Sequence, residues 1–200
     1  MSVQGESEKP LWESVKKGNK LALSTLYDQN FQILYEYGFR ICQKKELVED
    51  AIQELFIKLW GKRNEIVIAG SVRSYLLVSI RNAVFNEVKK EKNQSLISFG
   101  DIDLDFKIDY TVDSEFFKES TSDDQVVALM EGLNKLTGRQ KEILYLKFFQ
   151  GLSQDEIATI MGITVKASYK LSARALATLK NLMGISGPIL IAILQNWKRL

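Results

Sequence analysis

The chain has 200 residues, 46 % of them apolar, and a formal net charge of only +2. That is enough to bury one ordinary core or two small ones without covalent staples. With no histidine and a single cysteine, Cys42, it has no intramolecular disulfide, no CxxC or Cys/His cluster for zinc or haem, and lacks the commonest general base. On that residue set no cofactor or metal is expected, and because no basic start, apolar stretch and small-residue cleavage site opens the chain, the expected compartment is the cytoplasm.

Residues 1–10 read as an N-terminal tail. From Leu11 to Lys90 the chain reads as helix, since only Pro10 and Pro188 interrupt the sequence. Leu11, Val15, Leu21, Leu23, Leu26, Tyr27, Phe31, Leu34, Tyr35 and Phe39 recur at three- and four-residue spacing, with a break at Gly18-Asn19. Glu46 to Trp60 is a second amphipathic run, carried by Val48, Ala51, Ile52, Leu55, Phe56, Leu59 and Trp60. Gly61 to Ser71 reads as a loop. Ser71 to Lys90 resumes the helical period through Val72, Tyr75, Leu76, Ile80 and Val84 and ends on Lys89-Lys90. Residues 1–90 carry a net charge of +3.

Between residues 91 and 125 the period fails, and residues 91–127 carry a net charge of −7. The alternation Asp101-Ile102-Asp103-Leu104-Asp105-Phe106 resembles a strand, but with no partner in sight an extended acidic linker is the simpler reading. A second helical block spans 126–183. Val126 to Leu133 is amphipathic, and Thr137 to Gln140 has capping-box spacing ahead of Ile143, Leu144, Leu146 and Phe148. Gly151 stops that helix. Ser153 to Glu156 forms a second capping box before Ile157, Ala158, Ile160 and Met161; Gly162 turns the chain; Thr164 caps a longer helix to about Met183. The tail, 184–200, holds the apolar run Gly187 to Leu194. This is too short to span a bilayer, which needs roughly 20 residues, so no stable membrane insertion is expected. Packing on the second domain is the favoured role, with an inhibitory partner or a membrane surface as alternatives. The fold class expected is all-α: two small helical domains joined by an acidic linker, the second containing a helix-turn-helix.

Leu152 to Lys180 is the most informative segment. A helix of about eight residues, a glycine turn and a longer helix is the layout of a DNA-binding helix-turn-helix. Ala158 is small where two helices must cross, Gly162 supplies a positive φ, and Ile157, Ile163 and Val165 are expected to wedge the pair. On the second helix Lys166, Tyr169, Lys170, Ala173 and Arg174 share one face, whose cations suit phosphates or base edges in a major groove. Ser168 and Ser172 stand where larger apolar residues would face the core. Either the helix is rotated to bury Leu171, or the packing there is weak.

Leu136-Thr137-Gly138-Arg139-Gln140-Lys141-Glu142-Ile143-Leu144 followed by Gly151-Leu152-Ser153-Gln154-Asp155-Glu156-Ile157-Ala158 resembles the carboxy-terminal promoter-reading domain of sigma factors. Independently, Val48 to Trp60 resembles the sigma helix that docks on polymerase, and Ser74 to Ala83 the adjoining helix that reads the melted −10 element. Both motif sets, in order around an acidic linker, resemble the extracytoplasmic-function (ECF) subfamily of the sigma-70 family over residues 10–183. The resemblance implies core RNA polymerase contacts at Asp50, Gln53, Glu54, Phe56 and Trp60. It implies −10 contacts at Tyr75, Arg81, Asn82, Lys89 and Lys90, with Asn82 holding a flipped base. It implies −35 duplex contacts at Lys166, Tyr169, Lys170, Ala173 and Arg174. It also implies an acidic linker that mimics RNA inside polymerase, and restraint by an anti-sigma factor.

The residues themselves admit plainer roles. Asp50 and Glu54 suit a solvated face, Tyr75 a core, Asn82 a local hydrogen bond, and Lys89-Lys90 a helix end. The function expected is a sigma factor that binds core polymerase and directs initiation through −10 melting and −35 recognition, with no small-molecule substrate and no catalysis. The alternative is a helix-turn-helix regulator acting on promoter DNA without polymerase. An adaptor that binds only proteins is a further rival; it predicts no salt-sensitive DNA affinity.

Overall fold

The computed structural model describes residues 3–68, 70–91, 106–108 and 123–196, and among these the regular structure is all helical. Two compact units result, one built on the first four helices and the other on the last five.

The first unit comprises α1 (Val3–Lys16), α2 (Lys20–Cys42), α3 (Lys45–Gly61) and α4 (Val72–Glu91). Because α1 starts at Val3, the boundary expected at residue 11 falls inside a helix. The break at Gly18-Asn19 is where the sequence places it: Gly18 has φ +85°, and the Asn19 side chain caps α2 by accepting from Leu21 N at 3.0 Å and Ala22 N at 3.2 Å. Helix α2 ends at Gln43, whose φ of 56° is left-handed without glycine; its amide and its side chain both donate to the Phe39 carbonyl.

Helix α2 is the hub, packing against α1, α3 and α4. Its Leu26, Leu34 and Ile41 meet a core that includes Trp12 and Val15 of α1, Val48, Ile52 and Leu59 of α3, and Leu76, Ile80 and Val84 of α4, all buried. Each such side chain contributes about 1.5–3 kcal/mol of transfer free energy. Leu21, expected on this face, is 79 % exposed in the first turn of α2. Tyr27, Phe31, Tyr35 and Phe39 are half-buried and form a ladder along α2, with ring centroids 5.4, 6.0 and 5.9 Å apart.

One polar contact ties the ends of this unit together. Glu8 of α1 is buried, and its Oε2 accepts from the Arg73 N–H at 3.0 Å, in the first turn of α4. Ser71 caps the same turn, its Oγ accepting from Ser74 N at 3.0 Å. Glu8 thus supplies, from 65 residues away, an acceptor and a negative charge at a helix N-terminus.

The second unit comprises α5 (Asp123–Asn134), α6 (Gly138–Leu144), α7 (Gln154–Met161), α8 (Val165–Met183) and α9 (Gly187–Asn196). Helix α6 continues as a π-helical turn, Tyr145–Phe149, closed by the Gln150 N–H on the Tyr145 carbonyl at 3.0 Å. Both capping boxes form. Thr137 Oγ1 accepts from Gln140 N at 3.3 Å while Gln140 Oε1 accepts from Thr137 N at 3.0 Å. Ser153 and Glu156 reciprocate in the same way at 3.0 and 3.3 Å. Gly151 and Gly162 take φ of +69° and +63°.

Most of the expected linker lies outside the described residues, but Phe106 and Ile108 are buried, and the Phe106 ring meets Tyr145 at 5.5 Å. Tyr145 itself is fully buried and accepts a hydrogen bond from Gln150 Nε2 at 2.7 Å. The apolar tail folds as α9, which packs on α8 and the π turn with Leu190 and Leu194 buried. Among the described residues no single helix is long and apolar enough to cross a membrane; α8 and α9 pass such a test only jointly, across a 105° bend.

Two outcomes test this packing. A Cβ on Gly38 would lie 2.9 Å from Val48 Cγ1, a stiff and fully buried side chain, whereas one on Gly61 would meet open space. Gly38→Ala adds overpacking of about 1–3 kcal/mol against a helix-propensity gain of about 1 kcal/mol, so a net loss of about 1 kcal/mol is expected. Gly61→Ala should be neutral or stabilising, and urea unfolding of both variants compares them. The second outcome concerns pH. Burial raises the Glu8 carboxyl above its ordinary 4.5, outweighing hydrogen bonds from Asn30 and the Arg73 backbone and the Arg73 charge. A raised folded value stabilises the fold fully below 4.5 and less as pH climbs through that raised value. Stability should therefore rise for wild type relative to Glu8→Gln as pH is lowered from neutral toward 4.5, as read by unfolding at stepped pH.

Candidate nucleic-acid interface

Helix α3 turns Val48, Ile52, Leu55, Phe56 and Leu59 inward, which leaves two grooves along its flanks. Asp50 and Glu54, one turn apart, line the groove toward α4 with Lys58, Asn86, Glu87, Lys89 and Lys90. Glu54 and Lys58 bridge at 3.0 Å, but both side chains stay about two-thirds exposed, and such a pair holds little energy. Gln53, Ile57 and Trp60 instead line an apolar groove toward α2 with Leu23 and Tyr27. The residues expected to meet polymerase therefore fall on two sides of one helix. Phe56 departs from that expectation: at 6 % exposure its ring forms the floor of the second groove, set edge-on to Tyr27 at 5.0 Å. Trp60 is half-buried and carries the Arg63 guanidinium 4.4 Å from its ring centroid.

Helix α4 is covered by α1, α2 and α3, and one stripe of it stays open: Tyr75, Ser79, Asn82, Asn86 and Lys89, at helical spacing, with Lys90 beside it. Tyr75 is half-buried; it lines a pocket with Ser79, Ala83, Lys58, Lys62 and Ile66. It therefore belongs to a surface cavity and not to the sealed core. Lys58 and Lys62, which place two cations at this pocket, were missed by the sequence reading because one lies on the neighbouring helix and the other in a loop. Arg81 requires a correction. It is 2 % exposed on the inward face, with its guanidinium 6.0 Å from the Phe85 ring centroid, so it does not share the open stripe with Asn82. Lys90 is exposed and paired with Glu87.

In the second unit α7, Gly162 and α8 form the helix-turn-helix. Thr164 caps α8, accepting from Ala167 N at 3.1 Å. Ile157 and Ala158 are buried between the helices and Ile163 is half-buried, but Val165 is 38 % exposed and does not act as a wedge. The register of α8 is clear: Ser168, Ser172, Ala175 and Leu179 face inward. Lys166, Tyr169, Lys170, Ala173 and Arg174 consequently all lie on the exposed face, with Tyr169 59 % exposed. Leu171 is only half-buried, so the helix is not rotated to bury it. The serines are satisfied by Gln154 at the start of α7, whose Nε2 donates to Ser172 Oγ at 3.1 Å. Among the described residues no cluster of three or more His, Cys, Asp or Glu side chains is placed to hold a metal ion.

A helical unit with a grooved helix pair is thus followed by a helix-turn-helix with a cationic outer face, the layout of a DNA-binding module. The sigma-70 region 2 family model matches residues 26–94 and the sigma-70 region 4 model matches residues 127–179, together more than half of the chain. The chain belongs to the sigma-70 family of RNA polymerase sigma factors. Factors of this family are non-enzymatic proteins of transcription initiation.

Among curated relatives, the ECF sigma factor BldN of Streptomyces coelicolor is 29 % identical over 174 residues, 86 % of this chain and 64 % of BldN. The chain thus matches a little under two thirds of that relative's length. The ECF sigma factor SigL of Mycobacterium tuberculosis is 22 % identical across 82 % of this chain and 92 % of its own. The solved structure of CnrH with the cytosolic domain of CnrY matches at a TM-score of 0.58 and 20 % identity, covering 88 % of this chain and 97 % of CnrH. RpoE with the anti-sigma factor NepR from Bartonella quintana matches at 0.56 and 19 %, covering 82 % and 97 %. These two likenesses concern the fold.

The split between Arg81 and Asn82 has a measurable consequence. Arg81→Ala removes a buried side chain and should cost about 2–4 kcal/mol of stability, visible as a lower melting temperature. Asn82→Ala, on the open stripe, should leave melting within about 0.5 kcal/mol of wild type.

Proposed function

We propose that the chain directs core RNA polymerase to promoters, with its first unit docking on polymerase and holding the melted −10 strand and its second reading the −35 duplex. The observation that carries this reading is the pairing, in order, of sigma-70 regions 2 and 4 on two separate folded units. Asp50, Gln53, Glu54 and Trp60 form the polymerase-facing flanks of α3. Tyr75, Asn82, Lys89 and Lys90, joined by Lys58 and Lys62 around the pocket, form the strand-facing surface. Extruding a base costs a few kcal/mol, which stacking on an aromatic ring and hydrogen bonding to its edge can offset. Melting is then stabilised by binding, with no reaction catalysed and no cofactor required. Lys166, Tyr169, Lys170, Ala173 and Arg174 face the major groove of the −35 element.

The protein acts in the cytoplasm, where polymerase is, and is restrained there by an anti-sigma factor. The solved complex of RpoE with the anti-sigma factor NepR, a fold neighbour of this chain, supports that partner class.

The test is reconstituted transcription with core polymerase from the same organism and sheared genomic DNA, with transcript starts mapped. Discrete new starts are expected. Joint Asp50→Ala and Glu54→Ala substitution should lower them about tenfold or more, on the scale of an interface hot spot, at unchanged melting temperature. Lys166→Ala, Lys170→Ala and Arg174→Ala should each reduce the salt slope of −35 duplex binding by about 0.9. A folded protein that neither binds core polymerase nor creates a start overturns the reading.

A further inference from the structure

Helix α8 is anchored in two different ways along its length. Its inward residues in the second half are Ala175 and Leu179, ordinary apolar packing. In the half that carries Lys166, Tyr169 and Lys170, the inward residues are Ser168 and Ser172, at 0 % and 3 % exposure. Both meet one side chain, Gln154, itself only 8 % exposed at the first position of α7. The Ser168 hydroxyl donates to Gln154 Oε1, with the Gln154 backbone carbonyl 3.3 Å away as its other acceptor. The Gln154 amide donates from Nε2 to Ser172 Oγ at 3.1 Å. One carboxamide therefore clasps two hydroxyls one helical turn apart.

Apolar attraction is non-directional, whereas a hydrogen bond weakens steeply off its axis and so adds an angular restraint to whatever packing supplies. A roll of about 20° at a side-chain radius of about 5–6 Å moves a tip by about 2 Å, enough to break a base-edge contact. We propose that Gln154, through Ser168 and Ser172, is the positioning residue that fixes the rotational register of α8 and so sets its discrimination between duplex sequences. This rests on the reading of α8 as the −35 helix. Gln154 touches no DNA in this scheme; it acts through the helix it holds.

A stability role and a positioning role separate in one comparison. Replacing one partner of a buried polar set leaves the others unpaired, but replacing all of them by apolar groups can be neutral or stabilising. The triple variant Gln154→Leu, Ser168→Ala, Ser172→Ala is therefore expected to melt at or above the wild-type temperature. The full chain bound to core polymerase selects its preferred duplex from a randomised pool. Affinities for that duplex and a scrambled one are then measured for both proteins. The expected result is a specificity ratio that falls about tenfold or more while affinity for the scrambled duplex holds, since the cations remain.

A triple variant that melts normally and keeps the wild-type ratio overturns the proposal. If the triple variant does not fold, Ser172→Ala, which removes a single hydroxyl, decides by the same ratio: a fall supports the clasp and an unchanged ratio overturns it. A wild-type complex that selects no duplex overturns the −35 reading, and the clasp proposal with it. A wild-type complex that discriminates alongside an equally discriminating variant overturns the clasp alone.

Discussion

Helix α4 is enclosed on three sides, by α1, α2 and α3. Its inward residues, among them Val72, Leu76, Leu77, Ile80, Val84 and Phe85, occupy most of its circumference. The ordinary amphipathic stripe is therefore absent, and what stays open is a narrow polar line from Tyr75 to Lys89. Enclosure also explains why the polar groups at its start need dedicated partners. The first-turn N–H groups cannot reach water freely, so Ser71 and the distant Glu8 accept from them. The stripe is presented rigidly because the rest of the helix cannot move without breaking the core.

The second unit reaches the same end by another route. Its helices are short, and propensity alone does not hold an eight-residue helix such as α7 in water. Two capping boxes and two glycines at positive φ define where α6 and α7 begin and end. The π turn admits one extra residue per bond, and Tyr145 there lies fully buried with its hydroxyl bonded to Gln150. Helix α9, beyond the matched family region, covers that turn with Leu190 and Leu194.

What the sequence made legible, and what it did not, divides along the range of the interactions. Caps, glycine turns and helical periods are local, and Asn19, Thr137, Ser153, Gly162 and Thr164 act where their spacing places them. The five outward residues of α8 follow from its period in the same way. Long-range polar pairing left no such trace. Glu8 looked like part of a charged tail because its partner lies 65 residues on. Arg81 was expected at the −10 strand from the family resemblance, which does not report side-chain burial, and it sits inside beside Phe85. Ser168 and Ser172 looked like weak packing or a rotated helix because a period measures apolarity, and their partner Gln154 is 14 and 18 residues away.

The charge distribution bears on how the two proposed DNA surfaces would work together. The exposed cations of α8 are four, Lys166, Lys170, Arg174 and Lys180, and the first three belong to the expected duplex-facing set. Neutralising about three phosphates gives a salt slope near −2.7, a smaller electrostatic term than that of a protein making about 6–10 phosphate contacts. The strand-facing surface adds four, Lys58, Lys62, Lys89 and Lys90, of which Lys58 is bridged to Glu54 and Lys90 to Glu87. Each surface alone is therefore a weak DNA binder. Held together by polymerase, the second contact becomes intramolecular, and effective concentration multiplies two modest affinities without any added contact. Weak halves also limit capture by the vast excess of non-promoter DNA, where only one surface at a time finds its target. On this argument the near-neutral total charge is part of the specificity, because a more basic chain would bind DNA before it bound polymerase.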